Sequence, residues 1–155
     1  MEIRTIVLMM LLLCMFGLGA SFAAESPNIT WRLNEAKSNF APGATKNSTV
    51  VYEAVRDGVK ETTDGTSGDG KPVHTEWTGK FDGKDYPVTG GAAGATRSYK
   101  FINARTMKVI GKENGKVTTK GKIVVSADGK HRTVIISDTD SSGKKFTSNA
   151  VYDKQ

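Results

Sequence analysis

Apolar and polar residues alternate along much of the chain after residue 24. A period of two is typical of β-strands that bury one face and expose the other to water. One clear row of alternate positions contains Val73, Thr75, Trp77, Gly79 and Phe81. The i, i+3, i+4 spacing of an amphipathic helix is not sustained anywhere in this region. The pattern therefore predicts an all-β domain.

Glycine-centred turn signals divide this pattern at fairly regular intervals. Turn signals every ten residues or so are typical of consecutive antiparallel strands. The pairs are Asp57-Gly58, Asp69-Gly70, Asp82-Gly83, Asn114-Gly115, Asp128-Gly129 and Ser142-Gly143. The Asp-Gly and Asn-Gly pairs among them favour type I′ turns, because these residues tolerate positive φ. Between the turn signals we predict ten strands, near residues 28–33, 47–56, 59–67, 72–81, 84–89, 95–102, 105–113, 116–126, 130–140 and 144–153.

The predicted strands form a meander, which leaves two exposed edges unless the sheet closes. An antiparallel up-and-down β-barrel is the simplest closed arrangement, and two packed sheets are the alternative. Barrels of more than about eight strands tend to leave a lumen. Small residues at predicted inward positions are Ala54, Thr75, Gly79, Ser148 and Ala150. The sequence thus predicts one domain over residues 24–155, a barrel with an internal cavity and a loop over residues 34–46.

Residues 1–23 have a different character. Arg4 precedes an apolar run at residues 6–16, and small residues lead up to Ala23. This order is that of a secretory signal peptide, and the run is too short for a membrane-spanning helix. We therefore predict a signal-peptide helix at 1–23, a secreted or periplasmic bacterial protein, and no transmembrane segment after cleavage. Cys14, the chain's one cysteine, then leaves with the leader; the alternative is that it is lipidated.

The formal net charge is +6, and it stays +6 without the leader, which carries one arginine and one glutamate. The lysines are dispersed over turns and strand faces instead of forming one tract. In an exported protein such a charge fits anionic envelope surfaces or acidic ligands better than nucleic acid. We expect no nucleic-acid partner.

Residues that could support catalysis or metal binding are few. The chain has two histidines, His74 and His131, and no Gly-x-Ser-x-Gly motif. His74 and Glu76 could supply two metal ligands, whereas a zinc site needs three or four. The sequence therefore predicts neither an enzyme nor a metal or other cofactor.

Four stretches carry a resemblance to a known group of proteins. They are WRLNEAKSNF at 31–40, DGKPVH at 69–74, DGKDYPVTG at 82–90 and VYDKQ at 151–155. The chain resembles a group of small exported proteins of soil bacteria along essentially its whole length after the leader. This resemblance implies export and a single domain, and it implies no particular activity.

A looser resemblance is to the lipocalin and fatty-acid-binding (calycin) superfamily. It rests on the early Trp31, the ten-strand meander and the Val-Tyr-x-Lys ending at Lys154. The sequence departs from that superfamily at Ile29, where lipocalins have glycine, and at Ala150, where fatty-acid-binding proteins have a carboxylate-binding arginine. The resemblance implies a calycin-like barrel and does not extend to the fatty-acid site.

Aromatic residues at predicted inward positions are the remaining candidates for function. We predict a ligand cavity lined by Tyr52, Trp77, Phe101 and Tyr152, with plain core packing as the alternative. The function predicted is that of a monomeric, lipocalin-like protein that binds a small hydrophobic or amphipathic ligand. The alternative is a basic, exported interaction protein with a filled barrel and no small-molecule ligand.

Overall fold

The computed structural model describes residues 28–139 and 143–155. The predicted signal peptide at 1–23, including Cys14, lies outside the described residues. The described chain forms ten strands: β1 (Asn28–Leu33), β2 (Lys46–Val55), β3 (Gly58–Thr66), β4 (Pro72–Gly79), β5 (Tyr86–Thr89), β6 (Ala95–Asn103), β7 (Thr106–Glu113), β8 (Lys116–Val125), β9 (His131–Thr139) and β10 (Lys145–Lys154).

The ten strands form one closed antiparallel barrel in which each strand pairs with its neighbours in sequence. The last strand closes the sheet by pairing with the first, and Leu33 of β1 lies opposite Tyr152 of β10. The predicted all-β, up-and-down barrel is thus confirmed, and the arrangement as two packed sheets is wrong. The architecture is compatible with a calycin-like fold.

Most of the connection between β1 and β2 is a loop, as predicted, but it contains one turn of 3-10 helix at Glu35–Lys37. The side chain of Asn34 caps this turn by accepting a hydrogen bond from the backbone N–H of Lys37 at 3.2 Å. An asparagine before a short polar stretch is a common helix start. The turn is too short to leave a periodic signal in the sequence.

The predicted type I′ geometry holds at Asn114-Gly115 and is wrong at the other pairs. Asn114 (φ 49°) is the one non-glycine residue with positive φ in the described chain, and Gly115 follows it with φ 78°. Val55 pairs directly with Gly58, so the β2–β3 turn consists of residues 56 and 57, and Gly58 belongs to β3. The remaining Asp-Gly pairs lie in longer connections, where one left-handed glycine is enough to reverse the chain.

Consecutive antiparallel strands place alternate loops at opposite ends of the barrel. We call one end the mouth; it carries the connections 34–45, 67–71, 90–94 and 114–115. Two clusters of buried apolar side chains fill the barrel from the opposite end towards its middle. Phe81, in the connection between β4 and β5, packs against both clusters and joins them. The principal buried members are Ile29, Trp31, Val50, Tyr52, Trp77, Tyr99, Met107, Val109, Ile123, Val125, Ala150 and Tyr152.

Candidate functional site

A cavity of about 450 Å³ occupies the half of the barrel nearest the mouth. Its volume falls within the range of about 300–1,000 Å³ that is usual for small-molecule sites. Its wall includes Thr75, Ser148 and Ala150, three of the small residues from which the sequence predicted a lumen. The loop residues Ala44 and Ala92 border it at the mouth. Short inward side chains on a ten-strand barrel therefore leave room at this end.

The other two small residues do not contribute to the cavity. Ala54 is exposed near the end of β2. Gly79 is buried, and a Cβ built on it would come within 2.6 Å of the rings of Trp77 and Tyr86. The absence of a side chain at Gly79 makes room for these two rings instead of leaving a void.

The four predicted ligand-binding residues separate into two pairs. Tyr52 and Tyr152 line the cavity and are both buried. Trp77 is 1% exposed and lies inside the aromatic core, outside the cavity wall. Phe101 is 39% exposed and packs edge-on against Phe81, with ring centroids 5.5 Å apart. Trp77 and Phe101 are therefore not among the residues that line the cavity: Trp77 packs against the rings of Phe81 and Tyr99, and Phe101 packs against Phe81.

A buried ionic cluster on the cavity wall went unpredicted. Glu61, 3% exposed, pairs with the guanidinium of Arg97 at 2.5 Å and accepts a hydrogen bond from the hydroxyl of Tyr99 at 2.7 Å. Thr63 donates a longer bond of 3.4 Å to the same carboxylate. Buried charges are stable when paired and hydrogen-bonded, and both carboxylate oxygens have partners here.

Arg132, on β9, is another cation of the cavity wall; it is buried, with 2% exposure, whereas the side chain of Arg97 is 24% exposed. Its Nη1 donates a hydrogen bond of 3.1 Å to the hydroxyl of Tyr52. Its guanidinium carbon lies 5.1 Å from the ring centroid of Trp31, 5.5 Å from that of Tyr52 and 4.6 Å from that of Tyr152. Its Nε has no hydrogen-bond partner within the described chain.

The alternation of residues contained a signal for these charged side chains. Glu61 lies two positions before Thr63, and Arg132 two positions before Val134, both on inward rows. A charged residue at an inward position of a strand is unusual and marks a paired or functional group. The partner of each, however, lies on a distant strand and follows only from closure of the barrel.

The pKa of every tyrosine phenol in the chain is raised. Burial raises the pKa of Tyr52, Tyr99 and Tyr152, and nearby Glu61 adds to the increase. Burial also raises the pKa of Tyr86, together with its hydrogen bond to Asp82. These are all four tyrosines of the chain.

We expect the folded protein to show little phenolate absorbance at a pH of about 10, where an unperturbed tyrosine is half-ionised. The folded state holds the phenol protons more tightly than the unfolded state, so stability should fall as the pH rises beyond that value. Ultraviolet absorbance titration of the tyrosines, in buffer and in concentrated guanidinium chloride, measures the ionisation midpoint of the folded and the unfolded protein. If the folded protein ionised at the midpoint of an unperturbed tyrosine, about pH 10, the expectation would be contradicted.

Both histidines lie on the outer side of the barrel, each beside a carboxylate. Nδ1 of His74 is 2.6 Å from Asp64, and Nδ1 of His131 is 2.7 Å from Asp153. Asp153 also accepts a hydrogen bond from the side chain of Asn34 at 2.8 Å, and these partners lower its pKa. Within the described ranges, no three side chains of the metal-binding types are grouped to hold an ion.

None of the helical turns in residues 28–139 and 143–155 has the length and hydrophobicity needed to cross a bilayer. The inner site thus consists of a cavity with apolar and hydroxyl-bearing walls and two guanidinium groups: that of Arg97 is partly exposed and paired with Glu61, and that of Arg132 is buried and has no carboxylate partner among the described residues. Comparisons with protein-family models, curated proteins and solved structures find no match to this chain.

Proposed function

We propose that this protein is an exported, lipocalin-like binding protein that holds one small hydrophobic or amphipathic molecule inside its barrel. The observation that carries the proposal is the cavity of about 450 Å³ at the mouth. A filled barrel, which the alternative function required, does not account for this volume. Protein interiors are close-packed, and large voids are few unless they serve a ligand.

The lining supports an amphipathic ligand. Apolar side chains such as Val50, Val109 and Ile123 provide a surface for a hydrocarbon group. The hydroxyl of Tyr152 and the two arginines of the wall add polar groups at a few points. Ligand sites of this kind combine a mostly apolar wall with a small number of polar groups that fix orientation.

A matched pair of threonine substitutions on β4 tests the proposal. Thr75 lines the cavity, whereas Thr78 is exposed on the outer face of the same strand. Thr75→Phe places a ring in the lumen and should weaken binding of the neutral probe phenylnaphthylamine about tenfold or more, or about 1.4 kcal/mol. Thr78→Phe adds the same ring to the outside and should leave the affinity unchanged. Probe fluorescence measures both, and circular dichroism verifies that each variant folds.

Two results would argue against an internal site. One is the absence of probe binding to the wild-type protein. The other is equal binding by Thr75→Phe and Thr78→Phe, which would place the probe on the outer surface.

A further inference from the structure

Lysines that are dispersed in the sequence converge on one outer face of the barrel. Lys100 on β6 pairs in register with Lys108 on β7, and Lys108 pairs in turn with Lys122 on β8. Lys120 lies two positions before Lys122 on the same strand, and all four residues are exposed. Residues directly opposite on antiparallel strands are about 5 Å apart at Cα, so the lysines form one compact group. We call the outer surface of β6–β8 that they occupy the lysine face.

The positive charge of the lysine face is not neutralised by the part of the chain that the structure describes. Ion pairs there involve other cations, as in Lys60 with Glu76 at 2.6 Å. Asp82, at the margin of the face, already accepts hydrogen bonds from the backbone N–H of Lys84 and the hydroxyl of Tyr86. Like charges directly opposite on neighbouring strands repel each other and destabilise a sheet, so the arrangement costs the fold stability.

Aliphatic side chains lie among these lysines and at one edge of the face. Ile110 pairs in register with Lys120, and Ile135 pairs with Lys122; both isoleucines are half-buried. Ile102, near the end of β6, is 62% exposed and is the most exposed large hydrophobic residue of the described chain. Aliphatic groups beside lysines suit the boundary between lipid headgroups and acyl chains, where lysine stems cover apolar surface and the ammonium groups stay in water.

We propose that the lysine face docks on a bilayer surface that contains anionic lipids, with the side chain of Ile102 entering the headgroup boundary. Charge complementarity between the lysines and the lipid headgroups provides the electrostatic part of the contact, and Ile102 provides the apolar part. The face lies on the outside of the barrel wall, so this inference is independent of ligand binding in the cavity.

The type of cation favours a lipid surface over a soluble acidic polymer. All four cations of the face are lysines, whose ammonium groups are point charges on flexible stems. They lack the fixed planar geometry with which arginine recognises one phosphate or carboxylate group, and so they suit a fluid surface on which anionic headgroups rearrange. A soluble polyanion would satisfy the charges but would leave Ile102 in water.

Removal of the lysine row tests the electrostatic part of the contact. The triple variant Lys100→Gln/Lys108→Gln/Lys122→Gln should bind vesicles of phosphatidylglycerol and phosphatidylcholine about a hundredfold more weakly than the wild-type protein, since each lysine near an anionic surface contributes a factor of about five. Wild-type binding should weaken as salt is added, because the lysines are exposed, and should be lost on phosphatidylcholine alone. Co-sedimentation with the vesicles measures the affinities. The protein is tested without residues 1–23, whose apolar run would itself enter a bilayer; the barrel closes from β1 to β10 without them.

A matched control removes the same net charge from elsewhere on the surface. Lys46, Lys60 and Lys71 lie outside the lysine face, and each pairs with a carboxylate. The triple variant Lys46→Gln/Lys60→Gln/Lys71→Gln should therefore keep most of the affinity for the anionic vesicles, and circular dichroism verifies that both variants fold. Equal losses in the two triple variants would mean that net charge alone attracts the protein, and the proposal would be wrong.

A pair of single substitutions tests the apolar part and does not depend on the triple variants. Ile102→Ser should weaken vesicle binding about tenfold, the effect of withholding one aliphatic side chain from the acyl boundary. Val55→Ser changes an exposed aliphatic residue on β2, across the barrel from β7, and should leave the affinity unchanged. Unchanged binding by Ile102→Ser would overturn the proposal. Binding of dextran sulfate through the same lysines without binding to anionic vesicles would also overturn it, and would assign the face to a soluble polyanion.

Discussion

Trp77→Ala is expected to lower the free energy of unfolding by about 3–5 kcal/mol, the usual cost of deleting a large buried aromatic side chain. The indole is 1% exposed, stacks on Phe81 at a centroid distance of 6.1 Å and meets Tyr99 edge-on at 4.9 Å. Its Nε1 donates a hydrogen bond of 2.9 Å to the carbonyl oxygen of Arg97, and alanine also removes that bond. Chemical denaturation followed by circular dichroism measures the change.

Two further aromatic substitutions show whether the loss arises from core packing. Trp77→Phe retains a ring, so it should cost clearly less than Trp77→Ala while still losing the hydrogen bond, worth roughly 1 kcal/mol. Phe101→Ala removes a ring that is 39% exposed and should also cost less. Equal losses for Trp77→Ala and Phe101→Ala would contradict the separation of these residues into a core position and a peripheral one.

The barrel itself was predictable because all but one of its strand pairings join neighbours in sequence. Each strand pairs with its neighbour in sequence, so alternation and turn spacing are enough to specify the order. The predicted strand boundaries consequently lie within two residues of the observed ones. The single long-range event, pairing of β1 with β10, follows from the tendency of a meander to remove its open edges.

Which parts of the barrel interior are filled was less predictable, because a small inward residue can either border a cavity or make room for a neighbouring side chain. At Ala150 the short side chain borders the cavity, whereas at Gly79 neighbouring rings occupy the space. Alternation assigns a residue to a face and does not say which side chain from another strand reaches across. The same limit placed Trp77 and Phe101 on a cavity wall that they do not line.

The buried charges depend on the same cross-barrel geometry. Glu61 of β3 meets Arg97 of β6, which is 36 positions away in the chain and separated by two strands. A polar residue at an inward position is visible in the sequence, but its partner depends on the curvature and register of the closed sheet. The folded barrel is therefore needed to show that Glu61 pairs with Arg97 and that Arg132 has no carboxylate partner among the described residues.

The second large effect that we expect is an asymmetry between the two partners of the buried ion pair. Glu61→Gln leaves both guanidinium groups, those of Arg97 and Arg132, without a carboxylate in the interior, and should cost about 3–5 kcal/mol of unfolding free energy. Arg97→Gln should cost less, because Glu61 keeps its hydrogen bond from Tyr99 and the charge of Arg132 then balances that of Glu61. Because the side chain of Arg97 is 24% exposed, solvent also stabilises its unpaired guanidinium in Glu61→Gln, so the main cost there arises from the buried Arg132.

Urea unfolding of the two single variants and of the double variant Glu61→Gln/Arg97→Gln measures the asymmetry and the coupling between the residues. The double variant should be more stable than Glu61→Gln alone, since it removes one of the two unpaired cations. Equal losses for the two single variants would mean that the pair acts in isolation and that Arg132 does not share its electrostatic environment.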